Sequence, residues 1–353
     1  MHLALRLEAF VKLGKFLRAF CDFPKGDPTA DPQEQEWHGQ FSDAVERAHQ
    51  QNKWFTQENT LYAFEQWAEL LQERKLTAWL SPYAIKETKE KTVALIMAGN
   101  IPLVGFHDLL CVLLTGHRAL VKLSGNDEVL LPLLVSYLGH VDESLKHNVI
   151  FTKEKLKDFD AVIATGSNNT ARYFEYYFSK KPHIIRKNRN SVAVLIGSET
   201  QEELTALGED IFRYFGLGCR SVSKIYLPKD YDLAIFFKAI YPYHDVIHHH
   251  KYANNYDYNK AVYLMSEFKI RDNGFLILKE DTALASPIAS LFYEVYESME
   301  ALKSTLQAKH GEIQCIVSRN FVVNEISFGD TQKPTLTDYA DGVDTVAFLL
   351  GLS

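Results

Sequence analysis

The sequence predicts an α/β fold built on parallel sheet, on three observations: short apolar runs alternate with helical stretches, each run ends in small polar residues, and the chain is too long for one simple core. Residues 92–97 (Thr-Val-Ala-Leu-Ile-Met) suit a buried strand, which Ala98-Gly99-Asn100 ends. A helix over 105–114, a strand over 118–123, a helix over 127–138 and a strand over 160–164 follow. Such alternation gives a sheet with helices on both faces and ligands at the carboxyl ends of its strands, where the loops 98–102, 122–126 and 165–169 lie. A later stretch repeats the pattern: strand 191–196, helix 201–215, loop 217–220 and strand 222–227, with Cys219 in that loop. Before all of these, Trp37, Phe41, Ala44, Leu61, Phe64, Trp67, Leu70 and Leu71 fall at helical spacing and predict an outer helical layer over 33–75. The tail closes on Thr345-Val346-Ala347-Phe348-Leu349-Leu350, a strand-like run able to join a sheet.

At 353 residues and 46% hydrophobic content, two globular units are expected. A net charge of −7 without a basic stripe argues against nucleic acid as a partner. No apolar run is long enough to span a bilayer, and the amphipathic start (Leu3, Leu5, Leu7, Phe10) lacks a cleavage site, so a cytoplasmic protein is expected. The four cysteines, Cys21, Cys111, Cys219 and Cys315, are far apart and lack metal-ligand spacing. His248, His249 and His250, with His244, do not share a helix face and read as a solvated loop; no metal site is expected. The aromatic clusters Tyr173, Phe174, Tyr176, Tyr177, Phe178 and Phe212, Tyr214, Phe215 read as core or interface packing, the second set also suiting an acyl channel.

The segment Phe215-Gly216-Leu217-Gly218-Cys219-Arg220-Ser221 brings two glycines, a thiol and a guanidinium into one loop. A thiol is already a few per cent ionised at neutral pH, and an adjacent arginine lowers its pKa if it points that way. Such a group suits covalent catalysis; an inert buried cysteine is the competing interpretation. The partial dinucleotide fingerprint here follows a helix and precedes a strand, the reverse of what that motif requires.

Ala98-Gly99-Asn100-Ile101-Pro102-Leu103, Val121-Lys122-Leu123-Ser124, Ala164-Thr165-Gly166-Ser167 and Gly216-Leu217-Gly218-Cys219 stand in the order and approximate spacing of the aldehyde-dehydrogenase superfamily. They resemble most its acyl-CoA reductase branch, related to the reductase subunit of bacterial luciferase systems. The resemblance is good over 92–227, loose to 320, and returns at 338–346 in a segment similar to the family's closing strand. It implies an aldehyde-dehydrogenase-like fold with a Rossmann-type cofactor domain, an α/β catalytic domain and a helical N-terminal region. The expected boundaries are 1–196, 197–325 and a tail, 326–353, returning to a sheet. It also implies Cys219 as nucleophile and Asn100, with the Cys219 backbone N–H, as oxyanion hole. Lys122 and Ser124 would lie beside the adenosine ribose, and Gly166 and Ser167 against the cofactor. From the residues alone, Asn100 and Thr165-Gly166-Ser167 are equally ordinary turn residues, and Lys122 a solvated strand-end charge.

Two departures from the family pattern sharpen the expectation. The segment that holds the general-base glutamate of hydrolytic members resembles Arg186-Lys187-Asn188-Arg189-Asn190-Ser191 here, which has no carboxylate. Gly125 stands where NAD-preferring members often carry a glutamate, which leans toward NADPH with NADH possible. Neither Glu280 nor Asp281 is in register with the family's nicotinamide-ribose glutamate. The resemblance thus implies reduction of an acyl-CoA or acyl-protein thioester, with fatty acyl groups as substrates, to the aldehyde through a Cys219 thioester. It further implies a homo-oligomer and an acyl-activating partner protein. The alternatives are an acyltransferase or thioesterase that uses Cys219 without a cofactor, an acyl-phosphate reductase, and an acyl-binding protein without activity.

Overall fold

A computed structural model describes residues 2–23, 31–85 and 89–352. The chain divides into two compact units, Met1–Lys187 with Thr335–Ser353, and Asn188–Pro334.

The first unit opens with α1 (Leu3–Asp22), α2 (Pro32–Gln51), α3 (Gln57–Leu70) and α4 (Glu73–Leu80). Asp31 starts α2 by accepting the N–H groups of Gln33 and Glu34, both at 2.9 Å, with Pro32 at the first helical position, where its missing N–H is no loss. Along α1, Phe10, Leu13, Leu17 and Phe20 are buried at helical spacing. They share one core with Phe41, Ala44, Phe64 and Leu71 of the expected helical layer and with α5 (Phe106–Leu114), so that layer buries its apolar face in the unit's interior. The Trp67 and Phe106 rings meet edge to face at 4.6 Å.

Around α5 run β1 (Thr92–Ile96), β2 (Arg118–Lys122), α6 (Leu130–Val141), α7 (Glu143–Lys146), β3 (Val149–Phe151), β4 (Ala161–Thr165), α8 (Asn168–Phe178) and β5 (His183–Arg186). The five strands are parallel, in the order β3-β2-β1-β4-β5. Strand order reverses between β1 and β4, the position at which doubly wound sheets bind dinucleotides.

The second unit contains β6 (Asn190–Val194), α9 (Gln201–Phe212), β7 (Val222–Pro228), α10 (Leu233–Ala239), α11 (His250–Met265), β8 (Ile270–Asp272), β9 (Ile277–Glu280), β10 (Ser290–Tyr296), α12 (Met299–Ala308) and β11 (Ile313–Val317). Their sheet order is β11-β6-β7-β10-β9-β8, parallel except for the antiparallel pair β8/β9. Because β6 pairs with β7 and β11, the unit begins at Asn188 and not after Ile196. It extends past 325 to Pro334, held by the bridge from Val317 to Ile326.

The tail returns to the first unit, but as helix α13 (Thr345–Leu350) and not as the expected strand. A six-residue apolar run does not distinguish the two by period. Here Asp344 caps the helix by accepting the Ala347 N–H at 2.8 Å, and Thr345, Val346 and Leu349 are buried. The tail is also tied to α5 and β5: Arg186 pairs with Asp108 in the interior and donates to Thr345 Oγ1 at 3.1 Å. Asp108 is 7% exposed and Arg186 6%, so neither charge is solvated without its partner. Asp108→Ala is expected to destabilise the first unit by about 3–5 kcal/mol in denaturant unfolding, because it leaves an uncompensated buried guanidinium. Replacing both partners by apolar residues of similar volume should recover most of that loss.

Candidate active site

In the first unit the expected site residues collect at the carboxyl edge of the sheet. Asn100 lies in the loop after β1, Lys122 and Ser124 at and beyond the end of β2, and Gly166 and Ser167 between β4 and α8. The loops after β1 and β2 touch: a Cβ added at Gly99 would fall 2.7 Å from Ser124 Cβ and Oγ, so only glycine permits the approach. The Lys122 ammonium donates to the Glu154 carbonyl at 3.2 Å. Gly125, one residue beyond Ser124, has open space where a side chain would stand. Ser167 caps α8, accepting the Thr170 N–H at 3.2 Å, and Gly166 N–H is held by the Arg186 carbonyl at 3.2 Å.

Asp127, not singled out as a site residue from sequence, joins two of these loops. One carboxylate oxygen accepts the Leu103 N–H at 3.3 Å, the other the Leu130 N–H at 3.4 Å, at the start of α6. Leu103 has φ +58°, a left-handed conformation unusual for leucine, three residues after Asn100. The only sequence signal was an acid just ahead of an apolar helix. Burial pushes the Asp127 carboxyl up to about 6, against the pull of its two N–H donors.

In the second unit, Cys219 sits on a turn closed by the Ser221 N–H and the Gly218 carbonyl, at 3.0 Å. It is exposed, whereas Cys111 and Cys315 are buried and Cys21 is half-buried, so the expectation of a reactive thiol falls on the accessible one. Helix α9 begins with a capping box, Thr200 and Glu203, and stops where Tyr214 (φ +54°), Phe215 (φ +58°) and Gly216 (φ +73°) turn left-handed in succession. The Ser191 hydroxyl donates to the Cys219 carbonyl at 3.0 Å, which fixes the peptide that follows the thiol. Arg220 Nε donates to the Thr331 carbonyl, so the guanidinium is engaged there. Cys219 precedes β7 and Ser191 lies at the amino end of β6, the edge opposite to the one that the parallel-sheet rule suggested.

Other expectations change. Phe174 and Phe178 pack on a small core with Val162 and Ala164, but Tyr173, Tyr176 and Tyr177 are on the solvent face of α8 and 65–79% exposed. The histidine run is ordered at the start of α11, with the His249 ring 4.3 Å from that of Phe215. Among the described residues no cluster of His, Cys, Asp and Glu has metal-holding geometry. Asp281 pairs with Lys279 and its carbonyl accepts from the buried Lys224 at 2.9 Å, while burial lowers the Lys224 pKa.

Asp127 has a signature in pH. Its folded carboxyl holds a proton more tightly than the unfolded one, so its stabilising share is full below about 4 and lost as pH rises through about 6. From pH 7 to pH 5 the wild type should gain about 1 kcal/mol relative to Asp127→Asn in denaturant unfolding. Parallel stability curves for the two proteins over that interval would refute it.

The family model of acyl-CoA reductase (LuxC) matches residues 34–236, more than half of the chain. Among curated proteins, none matches the sequence. Among solved structures, a mutant of aldehyde dehydrogenase C from Pseudomonas syringae, complexed with NAD+ and octanal, is similar at TM-score 0.63 and 11% identity, over 90% of this chain and 73% of that one. The NAD+ complex of aldehyde dehydrogenase from Bacillus cereus is similar at TM-score 0.62 and 12% identity, over 92% and 73%. The putative aldehyde dehydrogenase PutA from Anabaena variabilis is similar at TM-score 0.57 and 13% identity, over 94% and 82%. At such identities the likeness is one of fold, and the matched family adds the class of enzyme: the chain belongs to the acyl-CoA reductase (LuxC) family, oxidoreductases here built on the aldehyde-dehydrogenase fold.

Proposed function

We propose that this protein reduces a fatty acyl thioester, with acyl-CoA as donor, to the aldehyde at the expense of NADPH, through an acyl thioester on Cys219. The observation that carries the proposal is Cys219 itself: an exposed thiol on a turn whose carbonyl is fixed by Ser191, in a chain of the acyl-CoA reductase family. The Cys219 thiolate attacks the thioester carbonyl, the C–S bond to the enzyme forms, and the coenzyme A thiolate leaves. Asn100 and the Cys219 backbone N–H are the proposed donors to the oxyanion of this step. Loss of one such donor costs on the order of 3 kcal/mol in the transition state.

When bound, a nicotinamide cofactor would supply the hydride that reduces the acyl carbon, and Cys219 would leave as the thiolate with the aldehyde. The first unit suits such a cofactor. Its strand order puts the β1 and β4 loops at the reversal point, Gly99 lets the adjoining loops close, and Ser167 opens an 11-residue helix there. Lys122 and Ser124 are the proposed contacts to the adenosine ribose, with Gly166 and Ser167 beside the dinucleotide. Similar structures carry NAD+, and one also octanal. Hydrolysis is disfavoured by the segment 186–191: Arg186 is buried against Asp108, Lys187 pairs with Glu175, Ser191 serves the Cys219 carbonyl, and none is a carboxylate able to activate water. A cytoplasmic setting, where thiols stay reduced, completes the proposal.

Intact-protein mass spectrometry of wild type and Cys219→Ala with acyl-CoAs of several chain lengths tests it. An acyl adduct present only with Cys219 and discharged as aldehyde by NADPH is the expected result; an adduct indifferent to NADPH, or none at all, would overturn it. The cofactor preference has its own test. The open space at Gly125 admits a side chain, so Gly125→Glu should fold normally and place a carboxylate beyond Ser124. It should lower kcat/KM with NADPH at least tenfold while leaving that with NADH within about threefold, an effect of roughly 1.4 kcal/mol or more on one cofactor alone.

A further inference from the structure

We propose that Asp210 is the positioning residue for the nucleophile: it anchors the loop 329–332, and that loop holds the two residues after Cys219 in place. The inference rests on the proposed role of Cys219 and extends it to a residue that touches neither the thiol nor a substrate. Asp210 lies on α9 and has no exposed surface. Both of its carboxylate oxygens are used across the unit. One accepts the Gly329 N–H at 2.7 Å; the other accepts the Thr331 N–H at 2.9 Å and the Thr331 hydroxyl at 2.8 Å. Thr331 is itself fully buried, and its carbonyl receives Arg220 Nε, while Gln332 Nε2 donates to Ser221 Oγ at 3.3 Å. On the opposite side of the turn Ser191 holds the Cys219 carbonyl. Cys219 is thus the exposed member of a turn whose neighbours are gripped from both sides.

A carboxylate side chain with no exposed surface sits on α9, and its donors come from a loop 119–121 residues away in sequence. Burial pushes its carboxyl up to about 6, against the pull of the Gly329 and Thr331 donors. An apolar residue would leave two loop N–H groups without acceptors, and asparagine would set an amide N–H against one of them. Among the described residues no other side chain accepts both N–H groups, so the loop has no second anchor of this kind there.

Two variants of the full chain test the assignment. Asp210→Asn removes the anchor, and Arg220→Met removes the grip at the far end; Arg220 is part-exposed, so its loss leaves the core intact. Hydrogen–deuterium exchange should rise at least tenfold over 217–222 in both variants, with the first two turns of α9 exchanging as in wild type. In single-turnover acylation by acyl-CoA, the maximal rate should fall at least tenfold while the half-saturating concentration stays within threefold. Thr331→Ser, which keeps the hydroxyl, should behave as wild type. Unchanged exchange over 217–222 in Arg220→Met, or a rate loss traced wholly to weaker acyl-CoA binding, would overturn the assignment. If Asp210→Asn does not fold, Arg220→Met decides. Should wild type form no acyl adduct, the proposed function fails, and the exchange experiment still decides whether Asp210 positions the turn.

Discussion

A parallel strand must be followed by a return crossing of the sheet, and every chain segment that leaves a strand therefore does so at one edge. The first unit shows the consequence. The loops after β1, β2 and β4 gather at the carboxyl edge, which brings Asn100, Ser124 and Ser167 to one side of the sheet although they are far apart in sequence. In the second unit the candidate nucleophile lies at the other edge. Cys219 lies in the turn ahead of β7 and Ser191 at the start of β6, so the thiol is set by what precedes a strand. In the proposed reaction the dinucleotide is assigned to the first sheet and the nucleophile to the second, each at a different end of its strands.

Buried acids recur as the means of fixing irregular backbone. Asp127 ties the loop after β1 to the start of α6, and Asp210 ties α9 to the segment 329–331. Each accepts N–H groups from chain that no sheet or helix satisfies, and an orphaned N–H in the interior costs about as much as a lost hydrogen bond. A neutral side chain would accept fewer of them. The Asp108–Arg186 pair differs in kind: it joins α5, β5 and α13 by two opposite charges that water cannot reach.

Much of the fold was legible because its strands are apolar runs bounded by glycine, asparagine and serine, and its helices carry their core residues at a clear period. The strands β3 and β5, at three and four residues with charged or polar neighbours, offered no such signal. In the tail, composition suggested a strand and the cap at Asp344 made a helix. Composition also said nothing of which way Tyr173, Tyr176 and Tyr177 face, and they face water. At the candidate site, Cys219 and its glycines were visible as a local motif. Asp210, Thr331 and Ser191 were not, because each acts on a partner distant in sequence and only the folded sheet brings the two together.

The succession Tyr214, Phe215, Gly216 in the left-handed region sets what kinds of change this chain can absorb ahead of its thiol. Two of the three carry side chains that resist the conformation, each at an energetic cost of about 1 kcal/mol or more, and neighbours such as the His249 ring beside Phe215 keep them there. A change of residue type alters that cost by a small amount. A change of length does something else: one residue more or fewer between Phe212 and Cys219 would rotate the turn and carry the thiol off its supports. Across descendants of this sequence, the stretch should drift in identity and hold its count.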